Sequence, residues 1–347
     1  MPLRTLYVNR QGAMLGIRKD ALIVRAQKAI IDVVPMASLQ SVVLLGHVQV
    51  STQAVDKLLN MGIDLIYLSQ KGKWRGRLVG SRPRNIFLMM AQFEATKNSA
   101  YRHVWAQNLL FAKVLAERLA SSWLNDARDV WEWESIMRLN QAGAVVVQSF
   151  ENGYEQPLYD LLPLDRQIVE GIRDSFAHAN TMNESMGIEG KEAQRYFSQW
   201  DRWLQPCGFE FVQRSRRPAK NAVNAILNLG YMMMLSEVER ALLINGFEPM
   251  LGLLHGVSYG RNSLALDILE LFRTFPIEML VLKLLLSQSL VHEHFETHSS
   301  GEVRLVDEGW EIWLRAYEGE LHAYREYIQK VMAILRAQLL TSQNGRL

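Results

Sequence analysis

The sequence holds one cysteine, Cys207, in 347 residues. A single thiol excludes a disulfide within the chain and any cysteine-rich zinc site, and it fits a reducing compartment. Long apolar runs are also missing. PIEMLVLKLLL comes closest to a membrane span and is interrupted by Lys283. The opening MPLRTLYVNRQGAML lacks the apolar segment of a secretory signal. The expectation is a soluble cytoplasmic protein with no membrane partner. Net charge is only +2, so the chain is no bulk polycation, and nucleic-acid binding would require local clusters of basic residues. Internal repeats and low-complexity tracts are not visible.

What is present is a hydrophobic content of 49%, enough for a substantial core, and a length that suggests about two domains. The first 80 or so residues read as strands. LYVN, AMLGIR, ALIVRA, AIIDVVP and SVVLLG are short, rich in Val, Ile and Leu, and separated by turn residues. STQAVDKLLNMG reads as a helix that Ser51 can cap and Gly62 ends. IDLIYLS and WRGRLVG return to strand character. SRPRN (81–85) is a plausible linker, and beyond it apolar residues recur at three and four spacings. Helices are expected over much of 86–124 and near 163–179, 184–204, 219–245, 263–273, 276–290 and 318–340. Leu321, Tyr324, Ile328, Val331 and Leu335 form one stripe of the last. The expected class is α+β: a small, mostly β domain over 1–84, then a large all-α catalytic domain over 85–347. Residues 125–160 are the least legible.

The unusual chemistry lies in GLLHGVSYGRNSLALDILELFR (252–273). Asn262 or Ser263 can cap a helix that is apolar nearly all round, yet it carries Asp267 and Glu270 three apart on one face. Burying unpaired carboxylates costs several kcal/mol in effective terms, so a metal or an arginine should face them. A narrow solvent-facing stripe would serve equally, and a lone His255 is more often a satisfied core histidine than a ligand. In NESMGIEGKEAQRYF (183–197), Glu189 sits beside Gly190. A mid-helix glycine makes sense where another backbone or a ligand comes close; otherwise Glu189 is an ordinary surface residue.

Basic residues cluster twice. Leu65 to Phe93 contains no acid but has Lys71, Lys73, Arg75, Arg77, Arg82 and Arg84. Phe211 to Ser236 is also free of acids and carries Arg214, Arg216, Arg217 and Lys220. Phosphate backbones favour such patches, though a solvated charged face looks the same. VHEHFETH (291–298) resembles a metal trap, but no familiar closed site has its spacing.

Together these segments resemble the CRISPR-associated integrase family, the larger of the two general spacer-acquisition proteins (Cas-one). LYVNRQGAMLGIRKDALIV and VPMASLQSVVLLGHVQVSTQAVDKLLNMGIDLIYLS are similar to its N-terminal β domain. MGIEGKEAQRYF, RRPAKNAVNAILNLGYMMM and GFEPMLGLLHGVSYGRNSLALDILELFR are similar to its later blocks, in the family's order. The resemblance implies that Glu189, His255 and Asp267 are the catalytic ligands of one Mn or Mg ion, with Glu270 as an auxiliary acid. It implies transfer of the 3′-hydroxyl ends of a short duplex onto a CRISPR repeat, with nuclease activity when water replaces the hydroxyl. It further implies double-stranded, branched or single-strand-ended DNA as partner, a homodimer formed through the β domains, and a small ferredoxin-like adaptation protein (Cas-two). Arg261 is a candidate to hold a phosphate. GVSY after His255 departs from the Arg-Pro pair of many members, which puts local DNA contacts in doubt. A tyrosine recombinase is disfavoured because His255 lacks the His-x-x-Arg pattern, and a three-carboxylate transposase would not need His255. A non-catalytic DNA-binding scaffold of this fold and a transposon-borne relative that integrates its own ends remain as alternatives.

Overall fold

Leu39–Leu45, LQSVVLL, is buried along its whole length. Such a strand has to be covered on both faces, which is the situation of an interior strand in a parallel sheet. The computed structural model describes residues 4–27, 29–70, 74–78, 80, 85–126, 138–154, 164–215 and 218–344. The chain divides into two compact units, Met1–Pro83 and Arg84–Leu347.

The first unit runs β1 (Arg4–Val8), β2 (Met14–Arg18), β3 (Ala21–Ala26), β4 (Ala29–Pro35), β5 (Leu39–Leu45), β6 (Gln49–Val50), α1 (Thr52–Asn60), β7 (Asp64–Leu68) and β8 (Trp74–Leu78). Two four-stranded sheets result, ordered β1-β5-β7-β8 and β4-β3-β2-β6. In the first, β1, β5 and β7 are parallel, with Val42 opposite both Leu6 and Leu65, and β8 returns antiparallel on the edge. In the second, β2, β3 and β4 form an antiparallel meander. Leu15, Leu22, Val42, Leu58 and Leu65 lie in the shared core. α1 starts and ends as its sequence directs: the Ser51 hydroxyl accepts the Ala54 N–H, and Gly62 takes the left-handed turn at φ +68°. The edge strand β4 exposes Ile30, Ile31 and Val33. An apolar edge of this kind invites pairing with another chain.

The second unit is largely helical. It contains α2 (Ile86–Lys97), α3 (Ser99–Asp126), α4 (Arg138–Asn152), α5 (Arg166–Ala177), α6 (Met182–Phe197), α7 (Trp200–Leu204), α8 (Ala222–Ile244), α9 (Ser263–Leu269), α10 (Met279–Leu286), β9 (Phe295–Thr297), β10 (Val303–Leu305) and α11 (Asp307–Asn344). The β9–β10 hairpin departs from an all-helical expectation. α11 begins well before 318, and the expected stripe of Leu321, Tyr324, Ile328, Val331 and Leu335 is buried. α6 opens with a capping box between Thr181 and Glu184. Its far end is held by an aromatic cluster in which Tyr196, Phe197, Trp200 and Phe211 pack with centroids 5.1–6.0 Å apart. Beyond α9 the chain tightens into a 3₁₀ turn at Glu270–Phe272. It then loses helical geometry at Phe275, before Pro276, so that α9 and α10 are separate helices. Among the described residues no helix is long and apolar enough to cross a membrane.

Candidate active site

The site begins with one carboxylate. Asp267 in α9 has no exposed surface, so its charge has to be compensated locally. The loop before α9 does this with its own backbone. One Asp267 oxygen accepts the N–H groups of Leu253 (2.6 Å) and Leu254 (3.0 Å). The other accepts the His255 N–H (3.0 Å) and faces His255 Nδ1 at 2.6 Å. With Nδ1 turned to the carboxylate as donor, Nε2 is the nitrogen whose lone pair a neutral imidazole would offer. Gly252 allows this wrap, because a Cβ there would stand 2.5 Å from the Ser263 Cβ and 3.0 Å from Asp267 Oδ2.

The same loop is fixed from outside. Arg102 of α3 donates to the Leu253 carbonyl (2.8 Å). The Gln92 side chain pairs with both backbone groups of Glu248. Arg261 donates to the carbonyls of His255 (2.5 Å) and Gly256 (3.1 Å) and to Ser263 Oγ (3.0 Å). Asn262 stands at the start of α9 without a side-chain cap and donates instead to Glu239 at 2.8 Å.

Glu270, one turn beyond Asp267, is also buried but looks elsewhere. Its oxygens meet Arg273 at 2.9 Å and Lys113 of α3 at 2.8 Å. Burial alone would raise its pKa, but Arg273 and Lys113 outweigh burial and hold the carboxyl at about 2. Lys113 also pairs with Glu189 of α6. Burial pulls on the Lys113 ammonium in the opposite sense, yet Glu270, Glu117 and Glu189 together keep it above the ordinary lysine value. Two carboxylates from distant segments therefore converge on one cationic nitrogen. Glu192, less than a turn after Glu189, ties α6 to α3 again through Arg118 (2.6 Å). Behind Lys113 lies a buried layer. Glu117, one turn along α3, is pushed well above the ordinary carboxyl range by burial. The Tyr231 hydroxyl donates to Glu278, and Arg273 lies over the Tyr231 ring at 4.8 Å.

All four expected site residues thus lie in the second unit, in two linked groups: Asp267 with His255, and Glu270 with Glu189. Lys113, Glu117 and Arg273 were not singled out from sequence. The signal was there, since Lys113 and Glu117 interrupt the apolar run LLFAKVLAERLA as Asp267 and Glu270 interrupt theirs. Among the described residues nothing lies within 4 Å of a Cβ added at Gly190.

The basic residues fall into three groups. Arg75 on β8 and Lys220 before α8 are exposed. Arg77 is internal, its buried guanidinium paired with Asp64, and Arg214 bonds the side chains of Asn224 and Asn228 and the Ser215 carbonyl. Lys71, Lys73, Arg82, Arg84, Arg216 and Arg217 lie outside the described residues. In the histidine-rich segment, His292 stacks on Phe209 at 4.1 Å and His294 Nδ1 accepts the Val291 N–H, so both serve the local fold.

Among the described residues no three His, Cys, Asp or Glu side chains are gathered closely enough to enclose an ion. The donor chemistry nevertheless fits a hard divalent cation. Glu189 and Glu270 already share one positive charge, and His255 presents a nitrogen whose tautomer is fixed by a carboxylate.

A family model described as CRISPR associated protein Cas1 matches residues 6–319. A CRISPR-associated endonuclease Cas1 of Thermus thermophilus is 29% identical over 96% of this chain and 91% of its own. Among solved structures, a CAS1 protein from Thermotoga maritima superposes with a TM-score of 0.76 at 20% identity, covering 97% of both chains. A Cas6-RT-Cas1–Cas2 complex matches at 0.72 and 19% identity, over 98% of this chain and 35% of the other. A casposase bound to its integration product matches at 0.70 and 17% identity, over 97% and 91%.

Proposed function

The chain belongs to the Cas1 family, the endonucleases of CRISPR adaptation, and from that premise we propose that it is a metal-dependent DNA integrase that joins spacer ends to a CRISPR repeat. The observation that carries this reading is the convergence of Glu189 and Glu270 on one cationic point, with an oriented His255 held by the neighbouring Asp267.

Glu189, Glu270 and His255 Nε2 would hold the ion. Sequence resemblance casts Asp267 as a ligand and Glu270 as an auxiliary. The geometry supports the exchange of these two parts, because both Asp267 oxygens are turned onto the backbone of its own loop and His255, whereas Glu270 meets Glu189 at Lys113. Carboxylate oxygens suit Mg or Mn, and the imidazole leans toward Mn. A divalent ion there supplies Lewis-acid stabilisation of the charge that builds on the phosphoryl oxygens.

The chain's own residues prepare that site. Asp267 fixes the His255 tautomer, and Arg261 holds the loop carbonyls beside it. In the reaction, a spacer 3′-hydroxyl oxygen bonds to phosphorus and gives up its proton while the repeat phosphodiester's bond to its own 3′-oxygen breaks, and that oxygen takes up a proton to leave as a hydroxyl. One phosphodiester replaces another, so no nucleotide cofactor is consumed. Water in place of the hydroxyl gives nicking. Exposed Arg75 and Lys220, with Arg82, Arg84, Arg216 and Arg217, would carry the DNA backbone. The apolar edge of β4 supports a homodimer through the first unit, and the matching Cas1–Cas2 complex supports a small Cas2-type partner.

The test is strand transfer of a short labelled duplex into a repeat-bearing plasmid, in Mn, Mg or chelator, with and without the small partner. Metal-dependent joining that Glu189→Ala, His255→Ala and Glu270→Ala each abolish is the expected result. DNA binding without joining in any metal would leave a scaffold. The casposase match favours one second reading, a transposon-borne integrase, which would join without a CRISPR repeat.

A further inference from the structure

Lys113 sits where the proposed metal site has its greatest concentration of negative charge. It reaches from α3 to Glu189 on α6 and to Glu270 beyond α9, and all three side chains are at most 19% exposed. Two carboxylates brought this close repel each other unless a cation lies between them. The two depend on Lys113 unequally. Glu270 keeps Arg273 at 2.9 Å whatever Lys113 does, and Arg273 is itself held over the Tyr231 ring. Among the described residues, Lys113 is the one cation at ion-pair distance from Glu189.

Resting on the metal-site reading above, we propose that Lys113 is a positioning residue that stands in for the divalent ion: it assembles Glu189 and Glu270 before metal binds and gives up that place when metal arrives. An ammonium on a flexible four-carbon stem is a point charge that can be moved without breaking a fixed fork of hydrogen bonds, unlike a guanidinium. It also has somewhere to go. Glu117 lies one helical turn along the same face of α3, and its Oε2 has no hydrogen-bond partner among the described residues. The device keeps the carboxylates gathered without metal, and its cost is competition with the metal.

That competition gives a signature that a purely structural lysine would not. Titrate MnCl₂ calorimetrically into full-length wild type, Lys113→Met and Lys113→Arg, and follow thermal unfolding of each in chelator and in Mn. Lys113→Met is expected to bind Mn roughly tenfold more tightly than wild type, since each tenfold reflects about 1.4 kcal/mol of competition removed. It should unfold at lower temperature in chelator, with the gap narrowed by Mn. Lys113→Arg should bind Mn more weakly, because a bidentate fork yields its place less readily. Should Lys113→Met fail to fold, the arginine variant decides alone: affinity equal to or tighter than wild type overturns the proposal. Equal or weaker affinity in a folded Lys113→Met also overturns it, while leaving the metal reading intact. Absence of Mn binding by wild type overturns both.

Discussion

His255 Nδ1 lies 2.6 Å from Asp267 Oδ1, and the same carboxylate gathers the backbone N–H groups of residues 253–255. One buried side chain thus sets both the path of the loop and the orientation of the imidazole. Asp267→Asn keeps the shape but turns an NH₂ toward a donor. At least one donor loses its acceptor, at a cost of about 1–3 kcal/mol. The expected outcome is a drop of that size in urea unfolding and a loss of roughly 10–100-fold in Mn affinity, as for other residues that orient a ligand. Glu189→Ala should lose the affinity with much less loss of stability. Equal stability of Asp267→Asn and wild type would remove Asp267 from the role assigned here.

Gly252 tests the same wrap sterically. An added Cβ would meet the Ser263 Cβ at 2.5 Å and the Ser263 carbonyl carbon at 2.8 Å, so loop and helix have to part. Gly252→Ala is expected to lower the unfolding temperature and to abolish strand transfer, though it removes no functional group. Retention of full joining would mean that the loop can shift without disturbing His255.

Arg75 and Arg77 lie two apart on β8 and separate DNA contact from folding. Arg75 is exposed, whereas Arg77 is buried against Asp64. Arg75→Ala should leave stability unchanged and make the salt dependence of DNA binding shallower by about one phosphate contact. Arg77→Ala should cost roughly 3 kcal/mol, because it removes the paired guanidinium from a buried carboxylate. A salt slope altered by Arg77→Ala in a fully stable protein would reverse the assignment.

That pair also marks what the sequence could convey. Strands of the first unit were legible because their Val, Ile and Leu runs are short and bounded by turn residues, and α1 because Ser51 and Gly62 bracket it. In the long helices the apolar period is enough to place Leu321, Tyr324 and Leu335 on one buried stripe. Long-range pairing carries no such local signal. Nothing in WRGRL distinguishes exposed Arg75 from Arg77, whose partner lies across a strand pair. Likewise the sequence raised a facing cation for Asp267 and Glu270 beside a solvent-facing stripe, and could not choose between them. Glu270 turned out to face Arg273, three residues on, and Lys113, some 157 residues earlier in the chain, while Asp267 faces the backbone of residues 253–255 and the His255 ring. Residues 138–152 were illegible for a related reason. α4 packs on α3 and α11, and neither neighbour can be read from its own residues.

Glu117 supplies a pH prediction of definite sign. Burial is the main force raising its carboxyl pKa. Lys113 opposes burial, and Glu278, Glu189 and Glu270 add to it. Below the ordinary carboxyl range the group is protonated in both folded and unfolded chains and contributes no pH dependence. Above about pH 4.3 the unfolded chain releases this proton while the folded protein keeps it, so stability falls by up to about 1.4 kcal/mol per pH unit until the folded pKa is passed. Glu270 works in the other direction and in another window. Held at about 2, it contributes stability that is full above the ordinary range and is lost as pH falls through that value. The two effects therefore do not overlap between pH 5 and 8. Glu117→Gln mimics the protonated side chain and removes the first effect alone. Urea unfolding at pH 5, 6, 7 and 8, in chelator, should show the variant gaining on wild type as pH rises. A constant difference across that range would mean that Glu117 is already charged in the fold and that Lys113 is shared among three carboxylates rather than two.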